Sequence, residues 1–318
     1  MSAILVKRRT GAVKVYLSGP NFSKLHDGRC HKALLTRCHD FYDYELMTIT
    51  SLMDDYCPKR GFRGEHGLSL YLETVDIKLL LDAGQTDAFI TNAEALGIDV
   101  SSLDAVILSH GHYDHGGGLK ALYDRLSTLP PPLFAGRGFD APRRAKNGDE
   151  LKDIGLQSAF LPEHSPAPIL IDTFEKMGTS AYILPPAEKI DGAEALPRFR
   201  VIQGGSDKLD NFDDELSLVF DEEDGIVVVT GCAHRGILNI AHAAVRAFPG
   251  KVIKALVGGF HLVDVSDEEL VKIAKAIAFL EPKAVFCAHC TGPRGFSALL
   301  SILPGRVAWL SCGMSISI

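Results

Sequence analysis

Three histidines and one aspartate fall within six residues in the stretch Ser109-His110-Gly111-His112-Tyr113-Asp114-His115-Gly116-Gly117-Gly118. An apolar run, Ala105 to Leu108, precedes them, and a helical pattern starts after Gly118. In an extended segment residues i and i+2 point the same way. His110 and His112 can therefore grip one metal ion together. The chain then turns, so Asp114 and His115 can face a second ion. Neutral imidazole and carboxylate suit zinc, iron(II) or manganese(II). The glycines allow close backbone approach. A single buried histidine is ordinarily structural, but this spacing is not explained by packing. The chemistry expected of such ions is generation of a nucleophile, since a bound metal lowers the pKa of water from about 15.7 to roughly 7. Neutralisation of charge on an oxyanion or leaving group is the other expected contribution.

The surrounding elements read as two kinds. Met47–Met53, Leu68–Glu73 and Lys78–Asp82 are strands, the last two joined by a turn near Asp76. Thr86–Leu96 is a helix closed by Gly97. Ala105–Leu108 is wholly apolar and so buried on both faces. Leu129 to Arg200, with three consecutive prolines at Pro130–Pro132, reads as loops and edge strands around a site. Leu216–Phe220 and Ile226–Val229 are strands, and Ile237 to Phe248 follows helical spacing. Lys254–Val257 is a strand. Ser266 with Glu269 is a capping box for a helix that Pro282 stops. Ala284–Phe286 and Val307–Leu310 complete the series, with the latter as the last strand. Strand hairpins first, then strands alternating with helices, give an α/β (α+β) chain of two mixed sheets packed together with helices outside.

The chain has 318 residues, 46% hydrophobic and 23% charged, which excludes disorder for most of its length. No run of 18 apolar residues occurs, so no spanning segment is expected. With 33 basic and 40 acidic residues the formal charge is −7, which argues against a nucleic-acid partner. Seven cysteines read as reduced thiols, hence a cytoplasmic setting. Residues 1–46 carry eight basic and four acidic side chains, leaving −11 on the remainder. They read as a poorly ordered basic extension, with organellar import as the other reading. Residues 47–318 then form a single domain. The oligomeric state is not readable.

The histidine-rich motif resembles that of the metallo-β-lactamase superfamily. So do Glu65-His66-Gly67-Leu68-Ser69, Leu81-Asp82-Ala83-Gly84-Gln85, Thr230-Gly231-Cys232-Ala233-His234, Gly258-Gly259-Phe260-His261-Leu262 and His289-Cys290-Thr291-Gly292. Together they look like the branch that includes the dihydropterin ribofuranosylaminobenzene 5′-phosphate synthases, over roughly Met47 to Ile318. The resemblance implies an αββα sandwich with one or two divalent ions, zinc foremost and manganese or iron as alternatives. It implies His110, His112, Asp114, His115, His234 and His289 as ligands. His261 is a further ligand or the proton donor to a leaving group, so His261 and Asp114 are the candidate catalytic residues. A bridging aspartate in the wider superfamily matches Cys232 here, which is a ligand or a supporting neighbour.

This chain departs from the pattern before Leu216. No histidine stands in Asp210-Asn211-Phe212-Asp213-Asp214-Glu215; Asp214 is the candidate replacement, with His164 as another. Asp82 is expected to accept the other ring N–H of a ligating imidazole. Glu65 and His66 are expected at the entrance. Arg143 and Arg144 are candidate contacts for a substrate phosphate. A lone CxxC, Cys287 to Cys290, is a weak sign of a zinc knuckle. The implied function is metal-dependent chemistry on a small phosphorylated or ester-like molecule, hydrolytic in the leading reading. A pterin-type condensing transferase is the alternative. Behind these stand an iron-dependent redox protein, a non-catalytic metal-binding module and a nuclease, the last disfavoured by the acidic balance.

Overall fold

The computed structural model describes residues 5–9, 12–16, 47–157, 159–190 and 197–318. The chain divides into two compact units, Met1–Tyr44 and Glu45–Ile318. In the first unit, β1 (Leu5–Arg9) and β2 (Ala12–Tyr16) pair antiparallel. The rest of the basic extension lies outside the described residues.

The second unit opens with β3 (Thr48–Met53), β4 (Ser69–Glu73), β5 (Lys78–Leu81), α1 (Ala88–Leu96) and β6 (Ala105–Leu108). The one-turn helix α2 (Tyr113–Gly116), α3 (Leu119–Arg125) and β7 (Leu133–Gly136) follow. Next come β8 (Arg143–Asn147), β9 (Glu150–Asp153), β10 (Ile169–Ile171), β11 (Glu175–Met177), β12 (Ala181–Leu184), β13 (Phe199–Gln203) and β14 (Ser206–Leu209). The chain continues through β15 (Ser217–Glu222), β16 (Gly225–Thr230), α4 (Ile237–Ala247), β17 (Ile253–Gly259) and α5 (Asp267–Phe279). It ends with β18 (Ala284–Ala288), α6 (Gly292–Ile302), β19 (Val307–Trp309) and β20 (Ser315–Ser317).

Two seven-stranded sheets result, in the orders β10-β7-β6-β5-β4-β3-β20 and β11-β12-β15-β16-β17-β18-β19. Both are mixed. Antiparallel hairpins supply one part, β3-β4-β5 and β12-β15-β16, and parallel strands the other. Apolar side chains of both sheets meet in one core: Ile49, Leu70, Leu79 and Ile107 from the first, Leu218, Phe220, Val227 and Val257 from the second. The opposite face of the first sheet packs on α1 and α3 through Phe89, Leu119 and Leu122. That of the second packs on α4, α5 and α6 through Ile240, Leu270 and Leu299. The layers are therefore αββα, as expected. β6 is buried along its whole length because it is covered on both faces.

Two features differ from the sequence reading. The last strand is β20, which pairs antiparallel with β3 and so returns the C-terminus to the first sheet. Its alternating exposure, with only Ile316 buried, is too short a pattern to stand out. The region 129–200 also contributes strands to a separate four-stranded sheet, β14-β13-β8-β9. An isolated bridge between His112 and Gly155 joins that sheet to the histidine-rich turn.

The two helix ends picked out by sequence have the expected geometry. The Gly97 cap is left-handed. Ser266 Oγ accepts the Glu269 N–H at 3.3 Å. Ser266→Ala removes that acceptor and is expected to cost about 1 kcal/mol of stability, measured by urea denaturation, with the midpoint falling and the slope unchanged.

Candidate metal centre

His110, Cys232, His234, His261 and His289 sit just beyond the C-terminal ends of β6, β16, β17 and β18. Parallel pairing of β16, β17 and β18 sets Thr230 beside Gly258 and Gly259 beside Ala288, so the turns carrying Cys232, His234, His261 and His289 come out level. In the first sheet, Leu81 beside Ile107 brings Asp82 next to Ser109. The sheets meet at this edge, where the Leu216 N–H donates to the Ser109 carbonyl at 2.7 Å.

His110, His112 and His234 form the first group. Their ring centroids stand 4.5–5.0 Å apart. All three Nε2 atoms are buried without a hydrogen-bond partner. Three orphaned nitrogens so close would each cost desolvation without compensation unless a cation meets them. Burial holds all three imidazoles well below their usual pKa, in the neutral form that binds metal. Phe212 stacks flat on His234, centroids 3.8 Å apart. Phe199 stands edge-on beside both His234 and Phe212.

Asp114, His115, His289 and Cys232 form the second group. His115 Nε2 is 3.3 Å from His289 Nε2, 3.1 Å from Cys232 Sγ and 3.9 Å from an Asp114 oxygen. His289 Nε2 is 3.4 Å from the same Asp114 oxygen. Four donors placed tetrahedrally about 2.0–2.3 Å from an ion stand roughly 3.3–3.8 Å apart. The observed separations of 3.1–3.9 Å straddle that range, and the donor types suit a divalent ion.

Neighbouring carboxylates orient the rings. Asp82 accepts from His115 Nδ1 at 2.6 Å, the Ser109 N–H at 2.7 Å and Ser109 Oγ at 2.7 Å. Ser109 Oγ in turn lies 2.9 Å from His110 Nδ1. Asp82 thus aims one ligand of each group, directly and through Ser109. Gly231 makes this fit possible: a Cβ there would stand 2.1 Å from Ser109 Oγ and 2.8 Å from Asp82 Oδ2. Asp55 bridges His289 Nδ1 at 2.6 Å and His66 Nδ1 at 2.9 Å. Asp54 accepts the His289 N–H at 2.6 Å and the Trp309 indole N–H at 2.8 Å, and burial pushes its carboxyl up to about 6.

Glu215 accepts the N–H groups of His234 and Arg235, at 2.6 and 2.8 Å, and fixes that turn; burial raises its carboxyl to about 7. None of Asp54, Asp55 and Glu215 is singled out by sequence. Asp54 and Asp55 leave the end of β3 as His110 leaves β6, and that parallel was the available signal.

His261 lies against His234, ring centroids 4.2 Å apart, with Nε2 3.4 Å from Asp264. Burial opposes its charge, but the Asp264 bond and the nearby Cys290 sulfur outweigh this and raise the imidazole to about 9.

Three expectations are corrected, for Asp214, Arg143 and His164. Asp214 is no replacement ligand: it pairs with Arg143 at 2.7 Å and accepts the Gly111 N–H at 2.8 Å, so it positions the loop between His110 and His112. Arg143 is no phosphate contact: it is buried against Asp210, Asp214 and the Phe139 and Ala141 carbonyls, with no free face. Arg144 is exposed on β8, facing Arg200 and Asp153 across the sheet. His164 bonds the Tyr123 carbonyl at 3.0 Å and takes no part in either group.

Glu65 and His66 also do more than line an entrance. Glu65 accepts the Gln85 and Thr86 N–H groups at 2.9 Å each, bracing the loop beyond β5. His66 is more than half exposed and reaches Asp114 at 3.3 Å. Cys287 packs among the helix-side apolar residues of the second sheet, so Cys287 and Cys290 build no knuckle.

The fold and this edge of donors define a class. Residues 63–186 match the family model described as the metallo-beta-lactamase superfamily. Tm1679, whose crystal structure is titled a metal-dependent hydrolase of the beta-lactamase superfamily, is 31% identical. That likeness covers 86% of this chain and 99% of Tm1679, with a TM-score of 0.74. The chain belongs to the metallo-β-lactamase superfamily.

Within it, the chain is similar to the 7,8-dihydropterin-6-methyl-4-(beta-D-ribofuranosyl)-aminobenzene-5′-phosphate synthase of Methanocaldococcus jannaschii. Identity is 29% over 262 residues, 77% of this chain and 87% of that protein. YhfI from Bacillus subtilis, 14% identical with a TM-score of 0.50 over 86% of this chain and all of its own, shares the fold.

Asp82→Asn keeps the shape but removes the negative acceptor that orients His115. It is expected to weaken metal binding about 10–100-fold, read by competition with a chromogenic chelator. Arg143→Met leaves Asp210 and Asp214 buried without their partner. It is expected to cost about 3–5 kcal/mol, read by chemical denaturation, and Arg143→Lys should recover only part because a point charge cannot satisfy both carboxylates.

Proposed function

We propose that this chain is a metal-dependent enzyme acting on a small phosphorylated or ester-like molecule. The observation that carries this reading is the trio of buried, unpartnered Nε2 atoms of His110, His112 and His234 beside the Asp114, His115, His289 and Cys232 group. His110, His112 and His234 would hold one ion, and Asp114, His115 and His289 a second. Bound divalent ions supply Lewis acidity and offset negative charge on the reacting group.

The chain's own residues do the rest. Asp82 and Asp55 fix the tautomers and aim of His115 and His289. Phe199 and Phe212 wall the His112 and His234 side with apolar surface, which excludes water and strengthens electrostatics there. His261 holds a proton at the inner wall and delivers it to a departing oxygen. Asp264 keeps that proton in place and joins His261 to Arg198, whose guanidinium lies 2.6 Å from Asp264 and over the Phe199 ring. The positive charge of His261 and Arg198 on one side favours an anionic substrate.

A second reading is condensation, in which an aromatic nucleophile displaces a diphosphate and no water attacks. It is supported by the likeness to the synthase from M. jannaschii over 87% of that protein. His261 then protonates the same kind of leaving group, so both readings use the same residues.

The deciding assay loads the protein with zinc or manganese. It then offers a phosphodiester, a lactone, and a dihydropterin diphosphate with an arylamine phosphate. Turnover of either ester supports hydrolysis; turnover only of the last pair supports condensation. A fully loaded protein inert to all of them rejects the proposal. With His261 raised to about 9, the protonated acid dominates below that pH, and kcat is expected to fall as pH rises through it. His261→Asn should lose about 10²–10⁴ of the rate and flatten that alkaline limb.

A further inference from the structure

We propose that Cys57 and Cys312 form a modification site: a small-molecule disulfide oxidises the pair to a reversible disulfide bond, which ties the loop 54–67 to the segment entering β20.

The two residues are far apart in sequence and meet through the backbone. The Cys312 N–H donates to the Tyr56 carbonyl, the group directly before Cys57, at 3.0 Å. Chains joined by such a bond run at the Cα spacing of about 4.4–6.8 Å that disulfides span. Both side chains also adjoin the same point of the loop. Cys312 Sγ lies 3.4 Å from the Arg63 carbonyl, and a Cβ on Gly64 would stand 2.7 Å from Cys57 Cβ. The thiols interact side chain to side chain. Cys57 is half-buried and Cys312 is buried. Cys312 is not a small apolar filler. It belongs to none of the apolar clusters, and its sulfur meets the Leu52 and Arg63 carbonyls and the Asn92 amide, the last at 3.2 Å.

The loop matters because of what else it carries. Asp55, two residues before Cys57, accepts from His289 Nδ1 at 2.6 Å. Asp54 accepts the indole N–H of Trp309, three residues before Cys312. Ser51 and the segment after Cys312 exchange backbone bonds at 2.8 and 2.9 Å, so the segment is held on the end of β3. A covalent tie at Cys57 therefore restrains the backbone that aims Asp55 at His289. Resting on the metal-dependent reading above, the oxidised form loses its metal more slowly.

The exchange runs in two steps. Cys57, the more accessible thiol, attacks the reagent as its thiolate, forms a mixed disulfide and expels one small thiolate. Cys312 then attacks the Cys57 sulfur as a thiolate and expels the second. The two protein thiols give up two electrons, the reagent's sulfur–sulfur bond takes them, and the two released protons go to the expelled thiolates. Burial and the neighbouring Cys57 thiol push Cys312 up to about 12, so it does not start the exchange. The mixed disulfide removes that neighbouring thiol and eases the second step.

The zinc-loaded protein is equilibrated in oxidised or in reduced glutathione, and its peptides are mapped by mass. A peptide pair joining Cys57 to Cys312 is expected after oxidation and is expected to vanish on reduction. Amide hydrogen exchange across the loop 54–67 is expected to slow on oxidation. Zinc removal by a chelator should slow severalfold, and Cys57→Ser and Cys312→Ser should show neither change. Absence of the joined pair, or Cys57 joined to another cysteine, overturns the site. A joined pair with unchanged exchange overturns the tie, and one with unchanged zinc release overturns the effect on the centre. A protein that takes up no zinc overturns the metal-dependent reading, while the joined pair and the exchange rates still decide the site.

Discussion

A single carboxylate sets the geometry on which the rest depends. Asp82 is fully buried and takes up three hydrogen bonds, from the Ser109 N–H, Ser109 Oγ and His115 Nδ1. Three donors converging on one carboxyl group make strong bonds in a dry environment. Through them the end of β5 is tied to the end of β6, and the rings of His115 and His110 are aimed at different spots. Without that tie, His110 to His115 is only a flexible turn rich in imidazole. The carboxylate itself sits at φ 62°, so the backbone is bent to bring it there.

The same device recurs around the centre. Among the described residues, six non-glycine positions have positive φ, and five of them are Asp82, Phe212, Ala233, His261 and His289. Each such conformation costs of order 1–3 kcal/mol and persists only when packing over-determines it. Here the sheets supply the packing, and Asp54, Glu215 and the Gly231 contact supply specific restraints. Strain gathered at strand ends, rather than in the strands, is what lets a rigid αββα frame point seven or more polar side chains at one small volume.

The acidic stretch before β15 shows how a departure from a motif is absorbed. No histidine stands there; Asp210 and Asp214 instead clamp Arg143. The clamp holds the loop carrying Gly111, whose missing side chain leaves room for the Phe139 carbonyl, 1.7 Å from where a Cβ would be. The ion pair thus shapes the ligand loop from outside it. Hydrolysis and condensation remain close relatives on such a frame, because both need an anion held between cations and a proton delivered on one side. Superfamily membership fixes the frame and not the choice between them.

The sequence alone determined the local pattern. Alternating and continuous apolar runs gave the strands flanking the site, and Ser266 and Gly97 gave helix ends. The spacing of His110, His112, Asp114 and His115 announced a metal centre, because ligands carried on one turn need no tertiary information to be seen as neighbours. Tertiary structure decided what lies far apart in the chain. Parallel register of β16, β17 and β18 brought Cys232, His234, His261 and His289 to the same edge. Asp55 became the partner of His289 across 234 positions, and Asp54 and Asp55 looked like ordinary polar residues after a strand. Arg143 and Asp214 were misread because a charge in sequence carries no sign of burial; only the folded chain shows that each neutralises the other. Side-chain chemistry is written in the residue, but partnership is a property of packing.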